Sequence, residues 1–168
     1  MKKLITVFTL AAMLLSLAVC CAAEEAAAVP AGELPEIIDM TEQAAFEDFC
    51  FRVNDIDVTN ELLSELRVYQ ISVKTVNSKG NPGEATYAGY RLSDVLAGCG
   101  ITEPVKVTAV ADDGYTSELE EAWIISEYTL IAIHKDGEAG KNGTIWLAPC
   151  SETVSGSYCK LVIEIIAE

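Results

Sequence analysis

The sequence predicts an α+β domain with mixed or antiparallel sheets and short helices. Segments of strand length and β-forming composition dominate from Phe46 onward, and the helical patterns between them are brief. Strands and helices also fail to alternate regularly, which argues against a doubly wound parallel sheet.

Phe46 to Val53 alternates as a strand, and Asn54-Asp55 supplies the turn after it. Thr59 precedes Asn60 to Leu66, whose early acid and leucine spacing make a short capped helix. Val68 to Val76 reads as a half-buried strand, with Tyr69, Ile71, Val73 and Thr75 on one side. Asn77 to Gly83 combines the strongest turn formers and is expected to be a loop. Tyr87 to Leu92 leads to Ser93, an expected N-cap, and a helix over 94–98 that Gly98 or Gly100 ends. Val105 to Ala111 is a second alternating strand, stopped by Asp112-Asp113-Gly114. Tyr115 to Leu119 returns, Glu120 to Ser126 forms a short helix or turn, and Tyr128 to His134 is strongly β-forming. After the Lys135 to Glu138 turn come strands at Thr144 to Ala148 and Tyr158 to Ile166.

The beginning of the chain reads as an address. Met1-Lys2-Lys3 is followed by an uncharged apolar run, Leu4 to Val19, the layout of a secretory signal over 1–23. Cleavage after Ala23 is one reading. Leu17-Ala18-Val19-Cys20 resembles a bacterial lipobox, so a lipid on Cys20, or on Cys21, is the other, with an uncleaved signal anchor a third. Residues 24–40 have the small, proline-punctuated composition of a flexible tether, and 41–168 are expected to be the domain. The protein is therefore expected outside the cytoplasm, secreted or lipid-anchored at the surface of a bacterial cell.

Losing 23 residues that carry two lysines and no acid takes the net charge from −15 to −17. That excess repels phosphate backbones and anionic headgroups, so nucleic acid is excluded as a partner and the membrane is reached only through the N-terminus. The 51% apolar content excludes disorder.

Cys50, Cys99, Cys150 and Cys159 follow the signal. A bridge between Cys150 and Cys159 across the Ser-Gly-Ser turn and four buried thiols are both open readings. With one histidine and no C-x-x-C, a Cys/His zinc site is not expected. His134 reads as an exposed strand-end residue, and Asp112-Asp113-Gly114 as a solvated acidic turn that lacks calcium-loop spacing. Gly137 to Gly143 mimics a phosphate loop only superficially. The absence of G-x-S-x-G, with a single histidine as base, argues against a hydrolase. Tyr87, Tyr90, Tyr115, Trp123, Tyr128, Trp146 and Tyr158 are the aromatics expected to line any pocket.

Several segments share their order and spacing with a known family. Thr59 to Val76 is a capped helix before a strand. Tyr87-Ala88-Gly89-Tyr90-Arg91-Leu92-Ser93-Asp94-Val95-Leu96 is followed by Gly100-Ile101. Then come Val105-Lys106-Val107 with Asp113-Gly114-Tyr115, Leu130-Ile131-Ala132 with Asp136-Gly137-Glu138, Gly143 to Pro149, and the segment around Lys160. Together they resemble the molybdopterin-binding domain of the sulfite oxidase family over nearly the whole domain. The resemblance implies that fold and a cofactor-binding face containing Tyr90, Arg91, Asp113, Tyr115 and Lys160. It also implies a molybdenum-ligating cysteine, but Thr75 stands at or beside that position. An alcohol is harder to deprotonate and a harder donor than a thiolate. The expectation is therefore a binding module for a small molecule or a protein, with no metal ligands and no cofactor. The alternative is a molybdopterin-dependent oxidoreductase or its redox accessory.

Overall fold

The computed structural model describes residues 34–44 and 46–168. The signal, Cys20, Cys21 and most of the expected tether lie outside the described residues. Eleven strands join in one open, mixed sheet: β1 (Ile37–Asp39), β2 (Phe51–Val53), β3 (Ile56–Val58), β4 (Tyr69–Val76), β5 (Pro82–Arg91), β6 (Val107–Ala111), β7 (Thr116–Leu119), β8 (Thr129–Lys135), β9 (Glu138–Ala139), β10 (Ile145–Pro149) and β11 (Cys159–Ala167). Three short helices accompany them, α1 (Asn60–Leu63), α2 (Leu92–Gly98) and α3 (Glu121–Ile124). The result is α+β, as the strand-dominated pattern predicts.

The main path runs β1-β4-β5-β8-β10-β11, and every pair along it is antiparallel. β11 then has partners on both edges. One edge pairs with β10 and, further along, in parallel with β2, which carries β3; the other pairs with β6, which carries β7. The β2–β3 turn is also tied down by Asn54. Its side chain donates to Ala167 O at 3.1 Å and accepts from Ala167 N–H at 2.9 Å, extending the ladder beyond the strand.

Alternation along β8 and β10 divides the apolar residues between two cores. Ile131, Ile133, Ile145 and Leu147 join the larger one, which receives Leu63 from α1, Leu92, Val95 and Leu96 from α2, and Ile124 from α3. Leu130, Ala132 and Ala148 join the smaller one, with Tyr69, Ile71, Val73, Tyr87 and Cys150. β8 is buried on both faces, which explains its unbroken apolar run from Leu130 to Ile133.

Cys150 and Cys159 fall in different cores, Cys150 in the smaller and Cys159 in the larger, and all four described cysteines are free thiols. The bridge reading therefore fails because the two side chains leave the sheet in different directions. The expected N-cap also moves. The chain passes directly from β5 into α2, so Arg91 occupies the N-cap and Ser93 is already helical. Thr59 does cap α1, its hydroxyl accepting from Leu62 N–H at 3.3 Å. Pro82 and Gly83, expected in a loop, begin β5. Ile37 to Asp39, inside the expected tether, pair with Ile71, Gln70 and Tyr69, so sheet structure starts before residue 41.

The β5–β8 ladder shifts register between Ala88 and Gly89, and here the chains come unusually close. A Cβ on Gly89 would stand 2.1 Å from Ile131 O and 2.7 Å from Ala132 Cα. Both contacts are backbone at the centre of the sheet and cannot yield cheaply. Gly89→Ala is expected to lower stability by about 2–3 kcal/mol or more, at the upper end of overpacking costs. Gly80→Ala, with open space around it but a φ of +79°, is expected to cost only about 1 kcal/mol. Urea denaturation of the two variants checks the order.

Candidate functional site

Asp112-Asp113-Gly114 makes the tight turn between β6 and β7. Gly114 has a φ of +83°, and its N–H donates to Ala111 O at 2.9 Å. Asp113 Oδ1 accepts from Tyr115 N–H at 3.1 Å, which fixes the carboxylate at the turn and leaves the Tyr115 side chain outside, with the residue 56% exposed. Asp112 N–H donates to Leu161 O at 2.8 Å, so the turn lies against β11 where Lys160 emerges. Asp113, Tyr115 and Lys160 thus line one cleft, with Ser155 and Tyr158, of about 420 Å³. This is within the range of about 300–1,000 Å³ typical of small-molecule sites.

The far wall is the 150–158 segment, which the sequence marks only as a turn. It is held from several directions. Val76 N–H donates to Thr153 O at 2.7 Å, Cys150 N–H to Tyr128 O at 2.8 Å, Trp123 Nε1–H to Glu152 Oε1 at 3.2 Å, and the Tyr158 hydroxyl to Glu152 O at 3.0 Å. The Tyr158 ring stacks on Tyr87, centroids 5.3 Å apart. This wall is therefore built in advance of any ligand. Its other side borders a larger hollow of about 610 Å³, whose lining includes Lys74, Glu84, Cys150 and Thr153. The smaller cleft is the stronger candidate because it collects three residues that the sequence singled out, two of them oppositely charged.

The remaining two do not join it. Tyr90 is 7% exposed in the larger core, its ring edge-on to Phe46 at 5.7 Å. Arg91 lies 4.2 Å above the Tyr69 ring and pairs with Glu127 at 3.2 Å. Consecutive residues of one strand point to opposite faces, so these two could not have shared a site. His134 is half-buried against Phe46, ring centroids 4.9 Å apart, rather than exposed. The residues that the sequence reading missed are Ser155 and, as a site member, Tyr158. Its place in the aromatic inventory was the only signal.

A molybdenum–pterin group would ask this fold for a thiolate and for cationic donors to the pterin phosphate. Thr75, at the implied ligand position, is half-buried on β4 opposite Gly83. Cys150 is buried, and that burial pushes its thiol up to about 12, so it is not a thiolate at neutral pH. Each of the three arginines already faces a carboxylate: Arg52 with Glu164 at 3.0 Å, Arg67 with Asp39 at 3.7 Å, Arg91 with Glu127 at 3.2 Å. These side chains do not fit the group. No protein-family model matches the chain, and no curated protein matches it.

The wall of the cleft predicts an alkaline limit to stability. Burial raises the Cys150 thiol from 9.0 to about 12 and, with the nearby Cys150 and Asp136, the Tyr87 phenol from 10.0 to about 12. Tyr158 is raised by the same cause. The unfolded chain releases these protons first, so their contribution is neutral below about pH 9 and turns against the fold as pH rises toward 12. The urea midpoint is expected to fall across that window, with the Tyr87 and Tyr158 phenols ionising only as the protein unfolds. Tyr87→Phe is expected to make the fall shallower.

Proposed function

We propose that this chain is an extracytoplasmic ligand-binding module on a sulfite oxidase-type scaffold, working without molybdenum. The observation that carries the reading is the cleft where Asp113, Tyr115 and Lys160 meet Ser155 and Tyr158. The cleft is small, bounded by a braced loop, and mixes charge, hydroxyl and aromatic surface, a combination suited to orienting a small organic molecule. The alcohol at position 75 and the carboxylate-paired arginines support the loss of the metal chemistry that the family resemblance implies. The N-terminal signal directs export in this reading, leaving the module free after cleavage at Ala23 or held to the membrane through a lipid on Cys20 or Cys21.

Two measurements test the reading. Produced in a host that makes molybdenum cofactor, the folded protein is expected to carry neither molybdenum by elemental analysis nor pterin fluorescence. Stoichiometric amounts of both would overturn it in favour of a molybdopterin-dependent oxidoreductase. Mass spectrometry of the mature N-terminus is expected to show cleavage at the signal, with or without lipid. Intact Met1 on a cytosolic protein would remove the location from the proposal.

A further inference from the structure

The two charged residues of the cleft are opposite in sign and close together. Asp113 lies in the turn held to Leu161, Lys160 is the preceding residue of β11, and the Cys159 thiol next to Lys160 is raised chiefly by its burial and further by the Asp113 charge. Among the described residues neither forms an ion pair, although Lys106 and Lys135 each find a carboxylate. A carboxylate and an ammonium therefore face the same space, each with bonding capacity to spare. Asp113 Oδ1 is engaged by the turn, which leaves Oδ2 for a ligand.

The same cleft is lined by two aromatic rings of different character. Tyr158 is fixed by its hydroxyl bond and by Tyr87, so it offers a rigid wall. Tyr115 is anchored only through its backbone, which lets its exposed ring cover a bound molecule.

This arrangement discriminates between charge types. A simple anion would pair with Lys160 but meet Asp113 and the field of a chain with net charge −15. A simple cation would pair with Asp113 but meet Lys160. A molecule carrying an ammonium and a carboxylate on the same carbon, with an apolar body, satisfies both residues and both rings. We infer that the Asp113–Lys160 cleft binds a zwitterion, an aromatic α-amino acid, with its ammonium toward Asp113, its carboxylate toward Lys160 and its ring between Tyr115 and Tyr158. This rests on the ligand-binding reading above and deepens it.

The test compares three probes that share a phenyl ring and differ in one charge: L-phenylalanine, phenethylamine and 3-phenylpropionate. Titration calorimetry on the exported protein is expected to give one site for L-phenylalanine and at least tenfold weaker binding of either analogue. Asp113→Asn, which keeps the turn acceptor, is expected to bind 3-phenylpropionate as well as it binds L-phenylalanine. Lys160→Met, which keeps the stem, is expected to do the same for phenethylamine. Unchanged thermal unfolding of both variants shows that the fold survives. Equal affinity for the three probes, or L-phenylalanine binding indifferent to both substitutions, would overturn the inference. A fragment screen read on the NMR signals of Tyr115 and Tyr158 separates the two levels. If other compounds shift them and L-phenylalanine does not, the zwitterion assignment falls and the binding module stands; if nothing shifts them, both fall.

Discussion

The structure depends on one distorted strand. β11 must satisfy backbone groups on both edges while its side chains fill the larger core, and a regular strand could not do this. Cys159 and Val162 both enter that core although they are three residues apart, a spacing that strict alternation forbids. The conflict is resolved at Leu161, which adopts a φ of +57°. Three steps of β11 there oppose two of β10, from Cys159↔Leu147 to Val162↔Ile145. A left-handed leucine costs about 1–2 kcal/mol. In return Val162 is completely buried and Leu161 O accepts the N–H of Asp112, while Ile165 reaches the same core through a second register shift, against β6, between Val162 and Glu164. The bulge thus decides at once how the core closes, where the β6–β7 turn is held and how Lys160 leaves the sheet.

Much of this architecture is readable from local chemistry. The period of β4, the hydroxyl cap at Thr59 and the stop at Asp112-Asp113-Gly114 each follow from residues within a few positions of one another. What escapes is set by partners remote in the chain. β1, β3 and β9 have three, three and two residues, too few for any periodicity, and exist because a neighbouring edge supplies their hydrogen bonds. Helix α2 begins two residues early because β5 delivers the chain already turned, making a side-chain cap at Ser93 unnecessary. Registers shift at Gly89, at Leu161 and between Val162 and Glu164, and no short window of sequence shows which residue of a strand will be the extra one.

The same division governs the candidate site. Asp113, Tyr115 and Lys160 come from the family resemblance, and of that set only the Asp112-Asp113-Gly114 turn is visible in local chemistry. Tyr90 and Arg91 could not both join them, because neighbours along a strand face opposite ways; Tyr90 enters the larger core and Arg91 lies over Tyr69. Ser155 and Tyr158 come to the cleft only because Glu152, Tyr87 and Val76 hold the intervening loop. A family pattern orders segments along the chain. Face and direction come from the pleat.

This division also explains how a scaffold can outlast a change of chemistry. The residues that close the two cores are apolar and enclosed, and replacing them leaves cavities costing about 2–5 kcal/mol for a large aliphatic side chain. The cleft residues Asp113, Tyr115 and Lys160 are exposed, and none belongs to either core. Their identities can therefore change with little effect on stability, provided the turn and the bulge that aim them remain. Gly89, Val162 and Ile165 are fixed by close packing, whereas the cleft side chains stand where the fold hardly feels them. Thr75 on β4 and the cleft beside β11 can therefore vary independently, because the two positions share a sheet and neither belongs to a core.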